Sequence, residues 1–217
     1  MALTRFDGPA NMRLDAGLLA AAEAGEPGWR VYDWDGPWVT LGRFQTPERD
    51  LLPGCPVPWV LRPTGGRAVL HGHDVTVGLA VPLTVVAASG EDPARLGRSV
   101  RRAYRAVAEP LIAALRACGV PAILGERTRW AGPKAARSAD CFAAVSAADI
   151  VDERTGQKVC GCALRLTGRA VLAQASIPAR RPLIDPGLVY RYPAPVSWVR
   201  LDGESFAGEL DRVLRLA

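Results

Sequence analysis

The chain has 217 residues, 49% of them hydrophobic and 23% charged, which suits one large globular domain with a real core or one domain plus a small appendage. Its net charge is +5 with no dense basic run, which excludes an obvious nucleic-acid binder and leaves a modest preference for an acidic protein partner. No apolar run reaches the roughly 18 residues of a membrane span, and the N-terminus lacks a signal-peptide pattern, so a cytoplasmic protein that does not enter the membrane is expected.

Asn11 can cap a first helix through Met12, Leu14, Leu18 and Leu19 to Ala24, with Gly25 as its stop. The pattern then changes to strands. Trp29–Trp34 and Trp38–Leu41 alternate apolar and polar residues, with Asp35-Gly36-Pro37 as the turn between them. Trp59–Leu61 reads as a short buried strand. Val75–Val81 reads as another, interrupted by Gly78. Pro93 starts the longest helical stretch, with Val100, Tyr104, Val107, Leu111 and Leu115 on one face, and Pro110 is expected to kink or split it. A polar segment from Arg127 to Asp140 carries Arg127, Arg129, Lys134 and Arg137, and is a candidate surface for an acidic carrier. A strand meander follows over Phe142–Val145, Ala148–Asp152, Lys158–Leu166 and Ala170–Ile177. Ser205–Leu216 closes the chain as an amphipathic helix. This order predicts an α+β fold with a mainly antiparallel or mixed sheet.

The most distinctive stretch is Arg62-Pro-Thr-Gly-Gly-Arg-Ala-Val-Leu-His71. Adjacent Gly65 and Gly66 let backbone N–H groups approach a ligand, and Arg62 and Arg67 could hold a phosphate or carboxylate. A glycine hairpin turn fits the composition equally well. Five scattered cysteines, Cys55, Cys118, Cys141, Cys160 and Cys162, argue against a disulfide framework. An arbitrary cysteine beside a phenylalanine, as Cys141 is, is by default a small buried hydrophobe, and an isolated strand lysine such as Lys158 is by default solvated. His71, His73 and Asp74 lack further ligands at convincing metal spacing, as do Cys160 and Cys162, so no metal is expected.

That glycine stretch resembles the signature of the lipoate–protein ligase, octanoyltransferase and biotin–protein ligase superfamily. Asn11-Met12 with Asp15 resembles the family's opening helix, and Trp38-Val-Thr-Leu-Gly-Arg-Phe-Gln45 its Ser-Leu-Gly-x-x-Gln strand. Asp74-Val-Thr76, Asp140-Cys141-Phe142 and Lys158-Val-Cys-Gly161 resemble its later landmarks, in the family's order. The resemblance implies a class II synthetase-like catalytic domain, with a central mixed sheet flanked by helices. It implies one domain over 1–217, without a full C-terminal accessory domain, acting as a monomer. Cys-Phe at Cys141 matches the branch of octanoyltransferases and amidotransferases that uses this cysteine as nucleophile, where ligases usually carry Asn-Asp.

The implied catalytic residues are Cys141 and Lys158, whose ammonium would stabilise the thiolate and polarise the acyl carbonyl. The implied substrate-binding residues are Arg62, Thr64, Gly65, Gly66, Arg67, Ala68, His71, Thr76 and Gly161. The implied reaction moves an octanoyl or lipoyl group from a thioester donor, such as an octanoyl-acyl carrier protein, or from a lipoyl carrier, to a lysine of a lipoyl domain or glycine cleavage H protein. It requires no cofactor. One alternative is an ATP- and Mg-dependent lipoate ligase, whole or as half of a split ligase; another is a catalytically silent lipoyl-binding paralogue. Val77-Gly78, Leu164 and Ala173-Gln174-Ala175-Ser176 depart from the family pattern, and the first pair is expected in the pocket wall.

Overall fold

The computed structural model describes residues 3–86, 100–131 and 137–216. Among the described residues, ten strands form two sheets: β1 (Thr4–Phe6), β2 (Gly28–Trp34), β3 (Val39–Leu41), β4 (Trp59–Leu61), β5 (Val69–Leu70), β6 (Asp74–Pro82), β7 (Ala122–Leu124), β8 (Ile150–Asp152), β9 (Lys158–Leu166) and β10 (Ala170–Pro178). The seven-stranded sheet runs β1-β2-β6-β10-β9-β8-β7, antiparallel except for the β1–β2 pair. The small sheet runs β4-β3-β5. Asp35-Gly36-Pro37 therefore carries the chain from one sheet to the other. Among the described residues, three long helices are α1 (Gly8–Glu23), α2 (Val100–Ala117) and α3 (Gly203–Leu216). The fold is α+β with a mixed central sheet.

Alternation along the central strands decides what each sheet face does. In β6, Val75, Val77 and Leu79 point into the main core against Val107, Leu111 and Leu115 of α2. Asp74, Thr76, Gly78 and Ala80 are their alternates, and Ala80 packs with Leu19 and Ala22 of α1. Antiparallel pairing sets Ser176 of β10 opposite Thr76 and Gln174 opposite Gly78. Polar side chains thus collect on the α1 face, at one end of the sheet.

Several expectations need correction. Asp7, not Asn11, caps α1, accepting from the Ala10 amide at 2.7 Å. Asn11 is buried inside the helix and bonds the Phe6 carbonyl. Trp59 and Leu61 are exposed, because β4 lies at the edge of the small sheet. Phe142–Val145 is no strand: Cys141–Ala143 forms a 3₁₀ turn in which the Asp140 side chain accepts from the Phe142 amide. Pro110 lies inside α2 without splitting it, and the expected helix start at Pro93 lies outside the described residues.

Gly78 does not interrupt β6. A Cβ there would stand 2.5 Å from Asp15 Oδ1, so glycine lets α1 settle on the strand. Val77 faces the main core, so neither residue of this pair lines the pocket. Asp15 cannot give way, since Arg30, Tyr32 and Gln174 all hydrogen-bond its carboxylate. Gly78→Ala should destabilise the fold by about 1–3 kcal/mol, the usual range for overpacking. Urea denaturation with an unchanged slope and a lowered midpoint would show it; an unchanged midpoint would refute this packing account.

Candidate active site

Cys141 is placed by backbone contacts. Its amide donates to the Ala68 carbonyl at 2.8 Å, and the Ala68 amide donates to the Ala139 carbonyl at 2.9 Å. The end of the glycine-rich stretch is thereby stitched to the turn that carries the thiol. Asp140 holds that turn from below: one oxygen accepts from Phe142 and the other from the Ala194 amide at 2.7 Å.

Lys158, at the start of β9, extends to the same place. Its Nζ donates to the Cys141 carbonyl at 2.7 Å, lies 3.4 Å from Cys141 Sγ, and pairs with Asp149 Oδ1 at 2.9 Å. The Lys158 and Asp149 side chains are only 5% and 8% exposed. Burial alone would lower the lysine pKa. The charges and hydrogen bonds of Cys141 and Asp149 outweigh it and hold the ammonium above the ordinary lysine value. Asp149 is itself tied down by the Ser146 amide at 2.6 Å. A Cβ at Gly161 would stand 3.0 Å from Cys141 Sγ, so glycine keeps the space beside the thiol clear. Burial pushes the Cys162 thiol up to about 12 and raises the fully buried Cys160 as well, which leaves both protonated.

Cys141 and Gly161 line a shared cavity. Met12, Tyr32, Trp34, Val69 and Ala163 supply apolar wall. The rest is a satisfied polar network. Asp74 accepts from His71 Nδ1 at 2.7 Å, from Thr76 at 2.9 Å and from Ser176 at 2.6 Å. Burial would raise the Asp74 carboxyl, but the charge and hydrogen bond of His71 prevail and hold it well below the usual carboxylate range. His71 Nε2 meets Thr40 Oγ1 at 2.9 Å, and its ring stacks on Trp34 with centroids 4.0 Å apart. With these groups paired, the interior offers apolar surface for a hydrocarbon chain.

Among the expected site residues, Arg62, Gly66, His71, Thr76, Cys141 and Gly161 line this cavity. The others stand behind it. Thr64 donates to Gln174 at 2.7 Å, the Gly65 amide donates to the Leu164 carbonyl, and Ala68 acts through its backbone. Arg62 departs from its expected role: its guanidinium donates to the carbonyls of Thr40, Gly65 and Arg67, so it builds the glycine loop. Arg67 contributes its carbonyl to that arrangement. In the basic segment Arg127 pairs with Glu109, while Lys134 lies outside the described residues. Asp149 escaped the sequence reading because no motif links it to Lys158. Tyr32, Trp34 and Gln174 escaped it because only strand register brings them to the cavity. His73 lies in the bend before β6 and is 7% exposed.

The lipoyl protein ligase A/B catalytic domain family matches residues 7–181. Octanoyltransferase LipM of Kyrpidia tusciae is 34% identical over 178 residues, covering 77% of this chain and 60% of that protein. The chain thus spans 60% of the length of that curated relative. Lipoate-protein ligase A bound with ATP superposes with a TM-score of 0.69 at 20% identity, over 99% of this chain and 83% of its own. A bi-partite lipoate protein ligase from Thermoplasma acidophilum, solved in a study with its E2 lipoyl domain, superposes at 0.64 with 17% identity, over 99% and 81%. These structural likenesses establish the fold.

Removing one partner of a buried ion pair typically costs about 3–5 kcal/mol, because the other charge is stranded. Lys158→Ala and Asp149→Ala should therefore each destabilise the protein, and the double variant by clearly less than their sum. Lys158→Ala should also slow iodoacetamide alkylation of Cys141, since it removes the ammonium 3.4 Å from Sγ. Additive stability losses and unchanged alkylation would refute the coupling.

Proposed function

The chain belongs to the lipoyl protein ligase A/B catalytic domain family, and on that premise we propose that it transfers an octanoyl or lipoyl group from a thioester donor to a lysine of a lipoyl domain through a Cys141 thioester. The observation that carries this reading is the Cys141 thiol on the wall of an apolar cavity, 3.4 Å from a buried ammonium. The names of its octanoyltransferase relatives support it.

In the first half-reaction the Cys141 thiolate attacks the donor carbonyl. A carbon–sulfur bond forms to Cys141, the donor's carbon–sulfur bond breaks, and the leaving thiolate takes up the proton that Cys141 gave up. Lys158 offers charge to the thiolate and to the developing oxyanion, and Asp149 holds it there. In the second half-reaction a neutral acceptor lysine attacks the enzyme thioester. A carbon–nitrogen bond forms, Cys141 departs, and the amine proton returns to it. Thioester and amide exchange needs no phosphoryl donor, so transfer requires no cofactor. The donor is an acyl carrier protein, and the acceptor a lipoyl domain or glycine cleavage H protein. Arg62, Thr64, Gly65, Gly66, Arg67 and Ala68 shape the loop at the site, and His71 and Thr76 belong to the cavity's polar wall.

The rival is an ATP- and Mg-dependent lipoate ligase, favoured by the likeness to an ATP-bound ligase. Free lipoate is unactivated, so a ligase cannot dispense with ATP. A lipoyl domain incubated with octanoyl-acyl carrier protein should be modified without ATP, and free lipoate with ATP should give no product. Modification only in the second mixture makes the protein a ligase and reassigns Lys158 to the adenylate. Failure of both, with retained acyl-chain binding, favours a silent binder.

A further inference from the structure

Between β10 and α3 the chain runs from Ala179 to Asp202 without a strand, its one regular piece being a 3₁₀ turn at Pro186–Leu188. Pro182, Pro186, Pro193 and Pro195 fix φ along it and remove backbone donors, so it forms a stiff strap and not a sheet strand.

The strap is tied to the neighbours of both reactive residues. The Ala194 amide donates at 2.7 Å to Asp140, the residue before Cys141, and the Ser138 hydroxyl donates to the Tyr192 carbonyl. Further along, the side chain of Gln157, the residue before Lys158, donates to the Trp198 carbonyl at 3.4 Å. The Val199 amide then returns to the Pro178 carbonyl at 2.9 Å. The stretch from Tyr192 to Trp198 therefore borders the thiol's turn and the start of the lysine's strand.

Its outward side is apolar and positive. Tyr192, Val196 and Trp198 are 52%, 49% and 47% exposed although the backbone beneath them is anchored. Arg191 and Arg200 flank them, and Arg137 adjoins Ser138. All three arginines are exposed, and among the described residues none of them forms an ion pair. Nearby carboxylates are already engaged. Asp140 accepts from Phe142 and Ala194, Asp185 from the Gly187 amide and Asp202 from the Ser205 amide. Exposed aromatic side chains beside uncompensated arginines have the composition of a protein-binding surface, and its sign selects an acidic partner.

The site's own geometry separates the two candidate partners. Tyr192, Val196, Trp198 and the three arginines do not line the cavity that holds the Cys141 thiol, so this surface borders the site without covering it. An acceptor lysine reaches only as far as its own side chain, and its domain has to sit on the site itself. A donor whose thioester hangs on a prosthetic arm can dock to one side. We infer that the strap from Arg191 to Arg200, together with Arg137, docks the acidic carrier protein that delivers the acyl thioester to Cys141. This inference rests on the proposed Cys141 transfer.

Two octanoyl donors test it: octanoyl-acyl carrier protein, and the octanoyl thioester of N-acetylcysteamine, which has no protein to dock. Mass spectrometry of the intact protein gives the second-order rate constant for Cys141 acylation. The double variant Arg191→Glu/Arg200→Glu should lower that constant for the carrier donor by about tenfold, the lower end of what charge steering contributes. Trp198→Ala should lower it as well. Both variants should keep the wild-type constant with the small donor, the wild-type melting temperature, and the wild-type rate of octanoyl transfer from the acylated enzyme to a lipoyl domain. Added salt should slow the wild type with the carrier donor more than it slows the double variant. Equal losses with both donors would mark a structural role and overturn the inference. So would wild-type rates with the carrier donor, and so would a loss confined to the step onto the lipoyl domain, which would make the strap the acceptor's surface. A wild-type protein acylated by neither donor defeats the transfer reading itself, whereas normal acylation of the strap variants defeats the docking alone.

Discussion

A lysine ammonium cannot be buried unless acceptors surround it, and the site of this protein is arranged around that requirement. Lys158 lies at the start of β9, where the side chain has no bulk water to turn to. It meets Asp149, the Cys141 carbonyl and Cys141 Sγ, with the Phe142 ring 5.3 Å away. Each contact fixes a different piece of chain. Asp149 anchors the loop before β8, and the register shift at Ile150/Val151 lies in the adjoining β8–β9 pairing. The Cys141 carbonyl fixes the turn, and Sγ is left on the cavity wall. One charge thus ties together the loop, the turn and the thiol.

The second requirement is that polar groups lining a buried, partly apolar cavity be paired with one another. The Asp74, His71, Thr76, Ser176 and Thr40 cluster meets it on one wall. Asp15, Tyr32, Arg30 and Gln174 meet it under α1. Arg62 meets it for the glycine loop by donating to backbone carbonyls. Among the described residues, His73 and Tyr190 are the exceptions, and both line a separate cavity.

Much of this was legible in the sequence, for identifiable reasons. The expected strands Lys158–Leu166 and Ala170–Ile177 match β9 and β10 closely, because both are long and continuous. The motif residues Cys141, Lys158 and Gly161 do come together in space. What failed depended on long-range contacts. The Asp140 side chain competes successfully for the Phe142 amide and makes a turn where a strand was expected. Gly78 looked like a break because its partner, Asp15, lies on a distant helix. Arg62 looked like a ligand-binding cation because local sequence does not reveal that its donors are directed at carbonyls. Asp149 carries no signature and is found only through Lys158.

The central claim is that Cys141 is the acyl acceptor, and intact-protein and peptide mass spectrometry test it most directly. After incubation with octanoyl-acyl carrier protein in the absence of ATP, one octanoyl group should map to Cys141. Hydroxylamine should remove it, and Cys141→Ala should prevent it, while Cys160→Ala and Cys162→Ala should leave it in place. An adduct on another residue, or an adduct that persists in Cys141→Ala, would contradict the account.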